Sequence, residues 1–128
     1  MKILSAKEFG SRLRVSIQSS GRLSFTQDTV TSLGLTPESR IKIGQDDVDP
    51  GLLYLIVPGT PDEDAFEVRT SGKYYYLPTK SLFDALGIKY VGENIMFDLI
   101  RMKELDAEAC GITYKMVQRT APEDGTDE

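Results

Sequence analysis

Hydrophobic and polar positions alternate with a period of two in several short stretches of this chain. Residues 12–17 put Leu13, Val15 and Ile17 on one face and Arg12, Arg14 and Ser16 on the other, the pattern of a half-buried strand. Residues 18–21, Gln-Ser-Ser-Gly, form a turn signal. Residues 22–25 alternate again with Leu23 and Phe25 inward, so the two runs predict a hairpin. The period then changes. Thr26 or Asp28 can cap a helix, Val30 and Leu33 share one helical face, and Gly34 is a stop signal. Ile41 and Ile43 oppose Arg40 and Lys42 on a third strand, and an acidic loop over 45–51 leads into an apolar strand over 52–57.

The same order recurs after a polar connector over 58–64. Phe66 and Val68 mark a strand over 65–70, Ser71-Gly72 a turn, and 73–77 a strand carrying Tyr74, Tyr75 and Tyr76. Pro78-Thr79 opens a short helix over 80–86, with Leu82, Phe83 and Leu86 on one face and Gly87 at its end. Residues 90–93 read as a turn. Ile95, Phe97 and Leu99 alternate on the next strand, a loop is expected near 106–111, and 112–117 form the last strand.

The pattern therefore predicts a mostly β protein with two short helices, built from two β-β-α-β-β repeats over 1–57 and 65–119, with an acidic, disordered tail over 120–128. Ser20-Gly21-Arg22 and Leu33-Gly34-Leu35 in the first repeat correspond to Ser71-Gly72-Lys73 and Leu86-Gly87-Ile88 in the second. The paired glycines lie 13 residues apart in one repeat and 15 in the other. A unit of about 50 residues buries too little surface to stand alone, so the repeats are expected to share one core. A barrel with pseudo-two-fold symmetry does this and removes exposed sheet edges.

The run Gly21-Arg22-Leu23-Ser24-Phe25-Thr26, followed by Leu33-Gly34-Leu35-Thr36-Pro37-Glu38-Ser39-Arg40-Ile41, resembles the AbrB/SpoVT/MazE swapped-hairpin family. Thr26 stands where the family usually has proline, and Pro78 has an altered spacing in the second repeat. The resemblance covers residues 12–57 closely and 65–118 more loosely. It implies a swapped-hairpin-like barrel closed within one chain, in the tandem arrangement of MraZ-like proteins. It also implies a bacterial, cytoplasmic DNA-binding role in transcription regulation, on double-stranded DNA, with self-association as a homo-oligomer. Arg22 falls on the family's Gly-Arg position, and Lys73 takes that place in the second repeat. AbrB-type regulators also carry arginines in the short helix, whereas Lys80 is the only basic residue in either helix here.

Charge narrows the candidates. The chain of 128 residues has a net charge of −5. Residues 1–45 carry +4, residues 46–68 carry −7, residues 69–100 carry +1 and residues 101–128 carry −3. A basic segment inside an acidic chain can serve as an anion-binding face, because local potential governs binding more than net charge does. Arg12, Arg14, Arg22 and Lys73 are the DNA-contact candidates, with Arg40 and Lys42 secondary, since such side chains neutralise phosphates or reach base edges. The alternative is a non-catalytic protein-interaction module, antitoxin-like or adaptor, on the same barrel, which has lost DNA binding.

An enzyme is not expected. With no histidine there is no Ser-His-Asp triad, Cys-His pair or His-ligated metal. No phosphate-cradling glycine loop is present. Carboxylates at Asp46, Asp47 and Asp49 and at Asp62, Glu63 and Asp64 offer oxygen ligands, but without EF-hand spacing they read as solvated loops, so neither metal nor cofactor is expected. Cys110, the single cysteine, permits no intrachain disulfide and is expected to be structural or partly buried. The three tyrosines look like a base-stacking platform, but Tyr75 must face away from Tyr74 and Tyr76, and ordinary strand packing is expected to account for the run. No apolar run is long enough to span a membrane, no secretory signal is seen, and no membrane partner is expected.

Overall fold

The computed structural model describes residues 1, 13–60, 62–92 and 94–119. Nine strands form a nearly closed antiparallel barrel: β1 (Arg14–Ile17), β2 (Leu23–Phe25), β3 (Arg40–Gln45), β4 (Leu53–Pro58), β5 (Phe66–Glu67), β6 (Arg69–Ser71), β7 (Tyr74–Leu77), β8 (Ile95–Arg101) and β9 (Gly111–Gln118). Their order around the sheet is β5-β3-β4-β9-β8-β1-β2-β7-β6. Helix α1 (Gln27–Leu33) follows β2, and α2 (Lys80–Ala85) follows β7. Arg12 and the acidic tail lie outside the described residues.

Alternation sets the two faces of the sheet. Val15 and Ile17 of β1, Leu23 and Phe25 of β2 and Leu77 of β7 are buried in one core with residues of β4, β8 and β9. The register places Val15 opposite both Phe25 and Phe97, so first-half and second-half residues meet inside the barrel. Thr26 caps α1 by accepting a hydrogen bond from the Thr29 amide, and Gly34 ends it in the left-handed conformation. Thr29 is fully buried, yet its hydroxyl is satisfied: it accepts from the Arg14 amide at 2.8 Å and donates to the Arg14 carbonyl at 3.0 Å. One threonine thus ties the start of α1 to the start of β1.

Two features depart from the sequence reading. The strand expected over 65–70 is broken at Val68. The segment pairs with β3 through Phe66 and Glu67, then with β7 through Arg69, Thr70 and Ser71. The buried Val68 donates its amide to the Ser39 carbonyl at 3.0 Å at this switch. The two end strands of the sheet are therefore consecutive pieces of chain, and this brings the barrel close to closure.

The other departure is the loop expected near 106–111. The segment between β8 and β9 holds a 3-10 turn (Lys103–Leu105) and, within that expected loop, a third helix, α3 (Asp106–Ala109), so the short helices among the described residues number three rather than two. The Asp106 carboxylate holds this excursion, accepting from Arg101 at 2.7 Å and from the Thr113 amide at 3.0 Å. The same charge-assisted contact depresses the Asp106 pKa below its ordinary 3.8. No helix among the described residues is long and apolar enough to cross a membrane.

Candidate nucleic-acid interface

The outer face of β1, β2, β7 and β6 takes its side chains from the positions that alternate with the core. These are Arg14 and Ser16, Ser24, Tyr74 and Tyr76, and Arg69 and Ser71. No carboxylate is among them. Tyr76 lies at the centre of this strip. Ser24 is its partner on one side and Arg69 on the other. The exposed Arg22, one residue before β2, holds its guanidinium carbon 4.2 Å from the centre of the Tyr76 ring. A guanidinium over a ring face is attracted by the ring quadrupole, so Arg22 is held against Tyr76 with its charge still accessible.

The sequence candidates separate into two groups. Arg22 and Lys73 lie on or beside this face, are exposed, and make no ion pair among the described residues. Lys73 sits in the turn before β7, where its carbonyl accepts from Gln27 of α1 at 2.7 Å. Arg14 is on the same outer face, but its Nε lies 3.4 Å from Asp98, its direct cross-strand partner. Asp98 also lies 3.8 Å from Arg119.

Arg40 and Lys42 are elsewhere, on β3, and both are engaged. Arg40 pairs with Glu67 at 3.3 Å. Lys42 pairs with Asp62 at 2.8 Å and donates to the Ala109 carbonyl at 3.2 Å. Lys80, the one basic residue of the first two helices, is bound to Asp84 at 2.9 Å, which raises its pKa. The structure does not bring Arg40 and Lys42 together with Arg22 and Lys73.

Arg69 is the residue that the sequence reading passed over. It is exposed, unpaired among the described residues, and directly opposite Tyr76. Its signal was present: with Val68 inward, strand parity sends Arg69 outward. The tyrosine run behaves as parity requires, with Tyr75 packed on the core and Tyr74 and Tyr76 outward. Strand packing does not account for Tyr74, however, because it is 69% exposed. Cys110 also departs from expectation: it is exposed, in a left-handed conformation after α3.

A cleft of about 380 Å³ lies between the 45–51 loop and α3, with Gln45, Asp46, Tyr54, Leu105 and Glu108 in its wall. Its polar groups serve the fold. Asp46 accepts from the amides of Val48 and Asp49 and from the Tyr54 hydroxyl at 2.9 Å. These bonds lower the Asp46 pKa and raise that of Tyr54. Among the described residues, no group of three or more carboxylates or thiols is gathered to hold a metal ion.

The β2-β7-β6 face offers Arg22 and Arg69, with Lys73 exposed beside it, and two outward aromatic rings, with no carboxylate among its described strand positions, which suits a polyanion with aromatic parts. No family model, no curated protein and no solved structure matches this chain.

Proposed function

We propose that this chain is a non-catalytic DNA-binding protein of AbrB-like, regulatory type, and that it engages DNA through the outer face of β2, β7 and β6. The observation that carries the reading is the strip without a strand carboxylate on which Arg22 and Arg69 stand unpaired at Tyr76, with Lys73 exposed in the turn before β7. Such cations neutralise phosphates, release counterions and bind duplex DNA with a steep salt dependence.

The pairing pattern supports the tandem swapped-hairpin reading. Exchanging β1 with β5 and β6, β2 with β7, β3 with β8 and β4 with β9 returns the same set of neighbours. The contacts of the hairpin turns are reciprocal as well. The turn before β2 lies against Lys80 at the start of α2, and the turn before β7 is bonded by Gln27 of α1.

The test is fluorescence anisotropy with a mixed-sequence duplex at about 50 and 200 mM salt, where phosphate contacts give steeply different affinities. Saturable, salt-dependent binding is expected, and Arg22→Ala with Arg69→Ala should flatten the slope by about two contacts. Absence of binding at the lower salt overturns the reading. The alternative, a protein-interaction module that does not bind DNA, draws on the exposed Met96 and Ile100 on the outer face of β8. It predicts that Met96→Ser with Ile100→Ser changes self-association or partner capture while no duplex binds.

A further inference from the structure

Tyr74 is hard to account for in a face that only neutralises phosphates. Its large side chain is 69% exposed on the outer face of β7, two residues from Tyr76. We propose that this face takes up single-stranded DNA in preference to duplex, with unpaired bases stacked on Tyr74 and on the Arg22–Tyr76 pair. The inference rests on the DNA-binding reading above and specifies the form of its ligand.

A duplex conceals what Tyr74 offers to meet. Within a duplex each base face is covered by the next base pair, and only groove edges and backbone are presented to a protein. The sequence-reading devices for a duplex are an α-helix or a β-ribbon lodged in the major groove. Here α1 carries no basic residue, and Lys80 of α2 is tied to Asp84. The cations and rings lie instead on the outer wall of a barrel. An unpaired base has both faces free, and stacking on an aromatic ring contributes about 1–3 kcal/mol per base whatever its identity.

The spacing agrees with this ligand. Residues two apart on a strand are separated by about 6.8 Å. That is twice the rise of about 3.4 Å per nucleotide along a stacked DNA strand. Neighbouring bases must part from each other to use Tyr74 and Tyr76 separately, which an unpaired strand can do. The cations flank the rings as a backbone track requires. Arg22 covers Tyr76, Arg69 is opposite it on β6, and Lys73 immediately precedes Tyr74. The neighbouring hydroxyls of Ser24 and Ser71, the residues opposite Tyr76 and Tyr74, can donate or accept, and so tolerate any base or phosphate.

The experiment compares a labelled oligothymidylate of about twelve nucleotides with a mixed-sequence duplex of equal length, in one buffer, on the full chain. The single strand should bind about tenfold more tightly. Tyr74→Leu should remove that advantage, and Tyr74→Phe, which keeps the ring, should retain it. The chain has six tyrosines and no tryptophan, so intrinsic tyrosine emission gives a direct readout of stacking. Saturable quenching by oligothymidylate, reduced in Tyr74→Leu, is expected. Duplex binding as tight as single-strand binding, or unchanged oligothymidylate affinity in Tyr74→Leu, overturns the inference while leaving DNA binding intact. Binding of neither form overturns both.

Discussion

The hydroxyl of Thr79 donates a hydrogen bond of 3.0 Å to the carbonyl of Gly21, which lies 58 residues earlier in the chain. Thr79 is fully buried, so this bond fixes the turn of the first hairpin on the residue that precedes α2. The approach leaves no room for a side chain at Gly21, where an added Cβ would lie 2.8 Å from Cβ and Cγ of Lys80.

Gly21→Ala should therefore be more costly than Gly72→Ala. Both glycines have positive φ, 87° and 63°, but an added Cβ at Gly72 meets nothing within 4 Å. Backbone strain alone costs about 1–3 kcal/mol at either position. Gly21→Ala adds the clash with Lys80. Urea unfolding of the two variants should give a clearly lower midpoint for Gly21→Ala, and equal midpoints would mean that the turn moves off α2 without loss.

Thr29→Val preserves shape but removes the hydroxyl that serves both the amide and the carbonyl of Arg14. A buried peptide group left without a partner costs about 1–3 kcal/mol, and stability should fall by that amount. Amide hydrogen exchange at Arg14 should accelerate more than at Leu23. Unaltered protection at Arg14 would count against this role.

Asp106 yields a pH prediction. The Arg101 guanidinium and the Thr113 amide hold its carboxylate below the ordinary 3.8. A carboxylate with a depressed pKa in the folded state adds stability that is present above 3.8 and lost as pH falls through the folded value. Asp106→Asn should lower the urea midpoint at neutral pH and lessen its further decline below about pH 4. A decline as steep as in the parent chain would show that other carboxylates carry it.

The division among the cations makes a contrasting pair of variants. Lys42 is held by Asp62 and the Ala109 carbonyl, so Lys42→Ala should leave the salt dependence of DNA binding unchanged. Arg69→Ala should reduce the slope by about one contact. Equal effects of the two variants in anisotropy titrations would mean that β3 also meets the ligand.

Much of the fold was legible because its signals are local. The alternation of Leu23 with Phe25, the cap at Thr26 and the stop at Gly34 each depend on a few neighbouring residues. Tyr75 and Tyr74 were separable by parity alone. The break at Val68 was not legible, because the chain there exchanges β3 for β7, and that choice belongs to barrel geometry rather than to the residues. Helix α3 spans only four residues, too few for a period to emerge, and it is held by Arg101 and Thr113 from outside.

The site was half legible for a related reason. Arg22 follows from the hairpin. The occupancy of Arg40 and Lys42 does not, since their partners Glu67 and Asp62 lie 27 and 20 residues further along the chain.

The order of strands has a consequence for the making of the protein. Strand β1 lies between β2, its immediate successor, and β8 (Ile95–Arg101), which is synthesised well after it. Strand β4 likewise pairs with β9, which ends at Gln118. On the ribosome the first hairpin emerges before β8 and keeps one side unpaired until β8 arrives. Pairings that span most of the chain are slow to form, because loop closure must precede the contacts that reward it. Closure of the barrel thus waits for β8 and β9, and until they arrive the first half presents open strand edges to aggregation and to chaperones.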